Sequence, residues 1–296
     1  MTDLTRPFPD EARLGVSGRM VAACRAENRA ALVGYLPVGY PDVPGSIAAM
    51  VALTQGTGGG GVDAVEIGMP YSDPMMDGLA IQHADTKAIQ RGVRTHDVFS
   101  AVEAVAVAGA TPLVMIYYNL VEHYGARGRR NDPAASVRAF ARDLANAGGA
   151  GLITPDLTPD DAEFWTASSD EFGLDRVYLV APSSTGERVA RTTAACRGWV
   201  YSTSVMGVTG ARAQTSDAAP RLVERVRAIA PDLPVGVGLG ISNGAQAGEI
   251  GAFADLAIVG SALVKQLIAA EDAGTASLDG LRALVDDLAS GVRASR

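Results

Sequence analysis

The chain has 296 residues, is 48% hydrophobic and 20% charged, and carries a formal net charge of −8. That length accommodates one large α/β barrel or two smaller domains, with enough apolar content for a sizeable core. It has no run of 18 or more apolar residues, no signal-peptide core in Met1-Thr2-Asp3-Leu4-Thr5-Arg6-Pro7, and no basic tract beyond Arg127-Gly128-Arg129-Arg130, so a membrane span, a secretory leader and nucleic-acid binding are not expected.

In chain order, strand-like apolar runs occupy residues 31–39, 62–69, 112–118, 151–155, 176–181, 198–205, 234–239 and 255–260. They are mostly unbroken rather than alternating, as parallel strands covered by helices are. After the first run, Gly39-Tyr40-Pro41 stands where a dinucleotide-binding sheet would have G-x-G-x-x-G. Gly58-Gly59-Gly60-Gly61 precedes the second run and reads as a flexible turn away from the chemistry. Asp132-Pro133 offers a cap and a first-turn proline, and Val137, Phe140, Ala141 and Leu144 follow at i, i+3, i+4, i+7. Thr158-Pro159-Asp160-Asp161 is expected to open the next helix in the same way. From Ser277, Leu278, Leu281, Leu284, Val285 and Leu288 form the stripe of a last helix. Eight strand–helix units in this length predict one (β/α)8 TIM-barrel domain over residues 1–296, with extra N-terminal and C-terminal helices. A doubly wound sheet is the structural alternative.

Within the second run, Val62-Asp63-Ala64-Val65-Glu66-Ile67-Gly68-Met69, the Glu66 carboxylate lies near the end of the apolar stretch that follows Asp63, which is costly unless it is paired or used. Val65 and Ile67 share one face; Ala64, Glu66 and Gly68 share the other. The apolar face suits the helical shell, so Glu66 is expected to point into the barrel. Asp77 follows on the turn-rich segment Tyr71-Ser72-Asp73-Pro74-Met75-Met76-Asp77-Gly78. A carboxylate on a strand and a second on the loop after it imply acid/base chemistry at a barrel mouth. A salt-bridged strand residue is the alternative for Glu66, and a helix cap the alternative for Asp77. Asp73, before Pro74, reads as a turn residue.

Three glycine-bearing segments follow the last three strands: Gly207-Val208-Thr209-Gly210, Gly238-Leu239-Gly240-Ile241-Ser242 and Gly260-Ser261-Ala262. Backbone N–H groups and a helix N-terminus after strands seven and eight of such barrels hold phosphate, and glycine lets the backbone approach an anion. Ser261 can add a hydroxyl and cap the following helix. Arg212 reads as a solvated loop residue. The loop 205–215 combines two glycines with polar residues and is expected to be a mobile lid.

Cys24 and Cys196 match no metal or redox spacing and are expected to be inert reduced thiols in a cytoplasmic protein. His83, His96 and His123 share no close spacing, so no metal is expected. Lysine is confined to Lys87 and Lys265, against 23 arginines. A Schiff-base aldolase needs a lysine at a strand's C-terminal end, and neither position provides one.

Val65-Glu66-Ile67-Gly68-Met69-Pro70-Tyr71-Ser72-Asp73-Pro74 through Asp77-Gly78, then Ile81-Gln82, resembles the signature of the tryptophan synthase alpha chain family. Tyr201 with Ser204 and Gly207-Val208-Thr209-Gly210 is similar to that family's sixth strand and mobile loop. The segments starting at Gly238 and Gly260, the stretches 35–41 and 117–120, and Asp156-Leu157 continue the likeness in order. The resemblance runs from about Arg13 to the C-terminal helix. It implies a barrel that cleaves indole-3-glycerol phosphate to indole and glyceraldehyde 3-phosphate without a cofactor of its own. It also implies a pyridoxal-phosphate beta chain as partner in an alpha2-beta2 complex, receiving indole through a tunnel.

On this resemblance Glu66, Asp77 and Tyr201 are the catalytic candidates, with Tyr35, Tyr117, Thr209, Gly210, Gly240, Gly260 and Ser261 on the substrate. Glu66 would protonate the indole ring and take the glycerol hydroxyl proton, its pKa raised by its apolar strand, while Asp77 stays ionised against the ring N–H cation. A strand aromatic with its hydroxyl satisfied is the alternative for Tyr201. Met76 stands where the family usually has a small residue, Leu79 where it usually has proline, and the stretch 121–132 is longer than typical. Two other functions fit the same chain: a stand-alone lyase, and a non-catalytic barrel that only binds and activates a beta chain.

Overall fold

The eight apolar runs all become strands in the computed structural model, which describes residues 10–58, 60–74, 77–125, 132–203, 218–238 and 240–295. They are β1 (Ala31–Pro37), β2 (Ala64–Gly68), β3 (Thr111–Met115), β4 (Gly151–Ile153), β5 (Asp175–Val177), β6 (Leu179–Val180), β7 (Val200–Thr203), β8 (Val235–Gly238) and β9 (Leu256–Val259). The strands are joined in the order β5-β4-β3-β2-β1-β9-β8-β7-β6, and every strand pair is parallel. The fifth expected strand is broken at Tyr178 into β5, which pairs with β4, and β6, which pairs with β7. One short stretch of chain thus closes the ring, giving the (β/α)8 barrel.

The helices are α1 (Glu11–Ala26), α2 (Val43–Gln55), α3 (Leu79–Gln90), α4 (Asp97–Val107), α5 (Tyr118–Glu122), α6 (Pro133–Asn146), α7 (Glu163–Phe172), α8 (Gly186–Ala195), α9 (Ala218–Ile229), α10 (Gly244–Gly251), α11 (Ser261–Asp272) and α12 (Asp279–Arg293). α1 and α12 are the extra terminal helices. Asp132 caps α6 as expected, its side chain accepting the Ala135 N–H. Thr158 does not open α7: Pro159–Asp161 form a separate 3-10 turn, and α7 starts only at Glu163. Of the glycines before β2, Gly60 and Gly61 are packed rather than loose, whereas Gly58 has open space around it. A methyl at Gly61 would overlap the Thr54 backbone and one at Gly60 the Arg293 guanidinium, so the turn lies tight against α2 and α12.

Side chains of alternate strand residues separate two layers. Val65, Ile67, Leu32, Leu36, Val114 and Val237 face the helical shell. Ala31, Val33, Ala64, Leu113, Ile153, Val177, Trp199, Leu256 and Ile258 fill the barrel. α1 plugs its N-terminal end, bringing Val21 and Cys24 onto that inner cluster. At Gly15 the helix turns through φ 63°, and a side chain there would collide with the Asp175 carboxylate. The kink lets Asp175 accept from the Ser17 N–H at 2.7 Å and the Ser17 hydroxyl at 2.6 Å. Two more acids brace the same end. Asp63 takes the Arg29 guanidinium on both oxygens, at 2.7 and 2.8 Å, and the Leu32 N–H. Asp255 takes Arg25 at 3.1 Å, Arg227 at 3.4 Å and the Val235 N–H at 3.0 Å. Cys24 and Cys196 are free and buried, and burial pushes each thiol up to about 12, which leaves them inert.

Candidate active site

The C-terminal end of the barrel is built differently. Glu66 is the middle residue of β2, in register with Tyr35 on β1 and Leu113 on β3, and shares their inward face. It is 1% exposed, and its Oε1 meets no hydrogen-bond partner among the described residues. No ion pair to Glu66 is seen among the described residues, and so none supports the salt-bridge alternative there. Burial, and then the nearby Asp77 charge, push its carboxyl up to about 8.

Asp77 is half-buried on the loop between β2 and α3, and desolvation pushes it up to about 6. Gly78, not Asp77, is the N-cap residue of α3, and no side-chain cap bond is seen there among the described residues. Instead the Gln82 side-chain amide donates to the Asp77 carbonyl at 2.6 Å and fixes the end of the loop. Asp73 has the expected turn role, accepting the Ser72 hydroxyl at 2.6 Å.

Three tyrosines surround these acids. Tyr35 is 7% exposed, and a methyl at Gly68 would overlap its hydroxyl, so Gly68 is small to make room for the phenol. Gly260 lies against the same ring; a methyl there would contact it at 3.4 Å. Burial, and then the charges of Asp85, Asp77 and Glu66, raise the Tyr35 phenol well above its ordinary value. Tyr201, in β7, has its hydroxyl over Gly238, and burial followed by the Glu66 and Asp77 charges raises it likewise. Tyr117 stacks on Tyr71 at 4.2 Å, and Asp156 takes the adjoining Tyr118 N–H with both oxygens, at 3.1 and 3.0 Å.

Gly240 follows β8 with φ 46°, a conformation that suits glycine. Ser261 is the first residue of α11 rather than its cap; Gly260 takes the N-cap position and no side chain caps that helix. Both positions adjoin the same end of the barrel. Thr209 and Gly210, with the rest of the expected lid, lie outside the described residues, as do Met76 and residues 126–131 of the longer stretch 121–132. Lys87 is engaged with Glu271 at 2.8 Å, and Lys265 lies within α11, so neither is at a strand end. Among the described residues no group of three His, Cys, Asp or Glu side chains could hold a metal ion, and no helix is long and apolar enough to cross a membrane.

One site residue escapes the sequence reading. Asp85 in α3 is 3% exposed, and its Oδ1 has no partner among the described residues. Burial, and then the Asp77 charge, push it up to about 8, against a Tyr71 N–H that favours its ionised form. The signal was available: Ile81, Ala84, Asp85 and Ala88 are the buried stripe of α3, and an acid in an apolar stripe poses the same cost as Glu66 in its strand.

Residues 21–293 match the family model of the tryptophan synthase alpha chain. The chain belongs to that family. Tryptophan synthase alpha chains of Mycobacterium bovis and Mycobacterium tuberculosis are each 55% identical over 276 residues, 93% of this chain and 94% of theirs. In the solved structure of Mycobacterium tuberculosis tryptophan synthase, one chain superposes with a TM-score of 0.84 at 54% identity, covering 94% of this chain and 98% of that one. The tryptophan synthase alpha subunit of Legionella pneumophila superposes with a TM-score of 0.77 at 26% identity, again over 94% of this chain. Membership of this family makes the chain a carbon–carbon lyase of the tryptophan synthase alpha type.

Proposed function

We propose that the chain cleaves indole-3-glycerol phosphate to indole and glyceraldehyde 3-phosphate through Glu66 and Asp77, as the alpha subunit of an alpha2-beta2 complex with a pyridoxal-phosphate beta chain. One barrel domain, residues 1–296, would carry this activity. The observation that carries the reading is the placement of two acids: Glu66 buried on β2 with Oε1 unpartnered among the described residues, and Asp77 half-buried on the loop that follows. Burial pushes Glu66 further up, to about 8, than Asp77, to about 6, which favours a protonated Glu66 beside an ionised Asp77. Two carboxyls pushed apart in this way take the roles of proton donor and charge stabiliser.

The protonated Glu66 carboxyl gives its proton to C3 of the indole ring, which places a positive charge on the ring N–H. The Asp77 carboxylate stabilises that cation. Glu66, now ionised, takes the proton from the hydroxyl beside the bond that breaks. As that hydroxyl becomes a carbonyl, the carbon–carbon electron pair returns to the ring, neutralises the cation and releases indole. Glu66 ends protonated, so the cycle closes without a cofactor. Tyr201 and Tyr35 line the reacting end, and Tyr117 flanks the ring. The phosphate would meet backbone N–H groups at Gly210, Gly240, Gly260 and Ser261, where an acidic protein can offer a neutral dipolar cradle.

The deciding experiment is a steady-state lyase assay with indole-glycerol phosphate, followed by titration with a beta chain. Turnover that rises with beta chain is expected. Full turnover without it would indicate a stand-alone lyase. No turnover in either condition would leave only a barrel that binds.

A further inference from the structure

Between β2 and β3 the chain forms two helices, α3 and α4, and after β9 it forms α11 and α12. α4 and α12 both pack on α2 and take places in the shell beside it. α3 and α11 pack on each other and on β1. Both begin at the barrel mouth. α3 starts directly after Asp77-Gly78, and the Gln82 side-chain amide and N–H bond the Asp77 and Gly78 carbonyls at 2.6 and 3.0 Å, so the first turn of α3 carries Asp77 with it. α11 starts at Ser261 with Gly260 as its N-cap residue, the stretch assigned above to the phosphate. This pair of helices therefore carries one group for each end of the substrate.

A polar clasp joins the two helices further along. Glu271, near the end of α11, accepts from Lys87 at 2.8 Å and from Arg91 at 2.6 Å, at the C-terminal end of α3. It also accepts from the Tyr40 hydroxyl at 2.5 Å. Tyr40 follows β1, is fully buried, and sets its ring edge-on to His83 of α3 at 6.1 Å. Arg91 donates in addition to the neighbouring Pro41 carbonyl. One carboxylate thus ties α11 both to α3 and to the turn after β1.

We propose that Glu271 is a positioning residue for the cleavage: by clasping α3 to α11 it sets the distance between the Asp77 carboxylate and the phosphate cradle at Gly260 and Ser261. The inference rests on the proposed reading of Asp77 and of that cradle.

Stability alone gives little reason for the cluster. The side chains of Glu271, Lys87 and Arg91 are 24%, 32% and 42% exposed, and ion pairs so wet add little to a fold. Geometry gives a better one. Three donors converge on one carboxylate, and the bonds from Lys87, then Tyr40 and Arg91, hold it down at about 2, so it stays ionised and engaged wherever the protein is folded. A substrate held at both ends reacts only if the two ends are the right distance apart, and misplacement by about 1 Å can cost on the order of 100-fold in rate.

The test compares Glu271→Ala and Glu271→Gln with wild type, in the full chain plus beta chain. It reads kcat and KM for indole-glycerol phosphate, and equilibrium binding of glycerol phosphate alone. Glu271→Ala should lose kcat on the order of tenfold, while glycerol phosphate, which meets only the α11 half of the site, binds as in wild type. Glu271→Gln keeps an oxygen for Lys87 and the Tyr40 hydroxyl, and its rate should fall between the two. A brace that only stabilised the fold would lower resistance to urea and leave both readings unchanged per mole of folded enzyme.

Wild-type kcat and KM in folded Glu271→Ala would therefore overturn the proposal. So would a loss of glycerol phosphate affinity as large as the loss of kcat, which would mean that the clasp shapes one half of the site and not the distance between halves. If Glu271→Ala does not fold, the double variant Lys87→Met, Arg91→Met opens the same clasp from α3 and is read in the same way. A wild-type chain that turns over no indole-glycerol phosphate, with or without beta chain, would instead remove the functional reading, and this proposal with it, before any variant is made.

Discussion

At the N-terminal end of the barrel, Asp63, Asp175 and Asp255 each meet cationic groups or N–H and O–H donors: Arg29, Ser17 and the Arg25–Arg227 pair. At the C-terminal end, Glu66 and Asp85 each bury an oxygen without a partner, and none of Glu66, Asp77 and Asp85 has an ion-pair partner among the described residues. Depth is comparable, since Asp175, Asp255, Glu66 and Asp85 are all at most 3% exposed. The difference is in what surrounds the carboxyl. A partner makes a buried acid a brace, because the charge is compensated and its loss leaves the partner exposed to the same penalty. Without one, the acid holds a proton near neutrality, which is the condition for proton transfer and a marker of reactive sites. Four experiments bear on that contrast, in descending order of expected effect.

The largest effect is expected at the unpaired end. Glu66→Gln removes the transferable proton while keeping shape and one hydrogen-bonding oxygen, and turnover should fall roughly 100- to 10,000-fold. Circular dichroism and glycerol phosphate binding should match wild type. A folded variant with near-wild-type turnover would remove Glu66 from the chemistry.

The paired end should respond in the opposite currency. Asp255→Asn deprives the buried Arg25, 7% exposed, of its carboxylate. Stability in urea should drop by about 3–5 kcal/mol, while turnover per mole of folded enzyme stays as it was. A loss under about 1 kcal/mol would mean that the brace contributes little and that pairing does not separate the two ends.

Much of this contrast is legible without coordinates. Apolar runs bounded by turn residues locate the strands, and the alternation Ala64-Val65-Glu66-Ile67 already turns Glu66 inward, because strand periodicity is local. The break of the fifth strand at Tyr178 is not local: β5 and β6 belong to different neighbours, and only barrel closure separates them. The kink at Gly15 is likewise dictated by Asp175, 160 positions away in the chain, whose oxygens occupy the space a side chain would need. The cap of α11 falls on Gly260 and not on Ser261, an offset of one residue that capping preferences do not resolve. Asp85 is the instructive omission. Its apolar stripe is visible in the sequence, but only packing shows that the stripe faces Asp77 and the Tyr71 backbone.

Asp77→Asn should reduce turnover roughly 100-fold, less completely than Glu66→Gln, because it removes charge stabilisation and not the proton itself. The loop should stay in place, since Gln82 bonds the Asp77 carbonyl and not its side chain. KM should therefore move less than kcat. Turnover equal to wild type would reduce Asp77 to a loop residue and leave Glu66 alone at the mouth.

The smallest effect concerns stability against pH at the unpaired end. Glu66 has an ordinary value of 4.5 and is pushed up to about 8 in the folded chain. Between those values the unfolded chain has released the proton and the folded chain still holds it. The folded state then binds more protons, so stability falls as pH rises through this window. For one such group the slope approaches, at most, about 1.4 kcal/mol per pH unit. Glu66→Gln abolishes this contribution, so the inactive variant should be the more stable protein, by a margin that opens from about pH 5 and widens towards pH 7.5. Urea unfolding of both proteins at three pH values across that range measures the margin directly. A margin that stays constant would mean that Glu66 ionises as readily in the folded chain as in the unfolded one. An acid that ionises so readily has no proton to give at neutral pH, and the same measurement would then count against its role in the cleavage as well as against its cost to the fold.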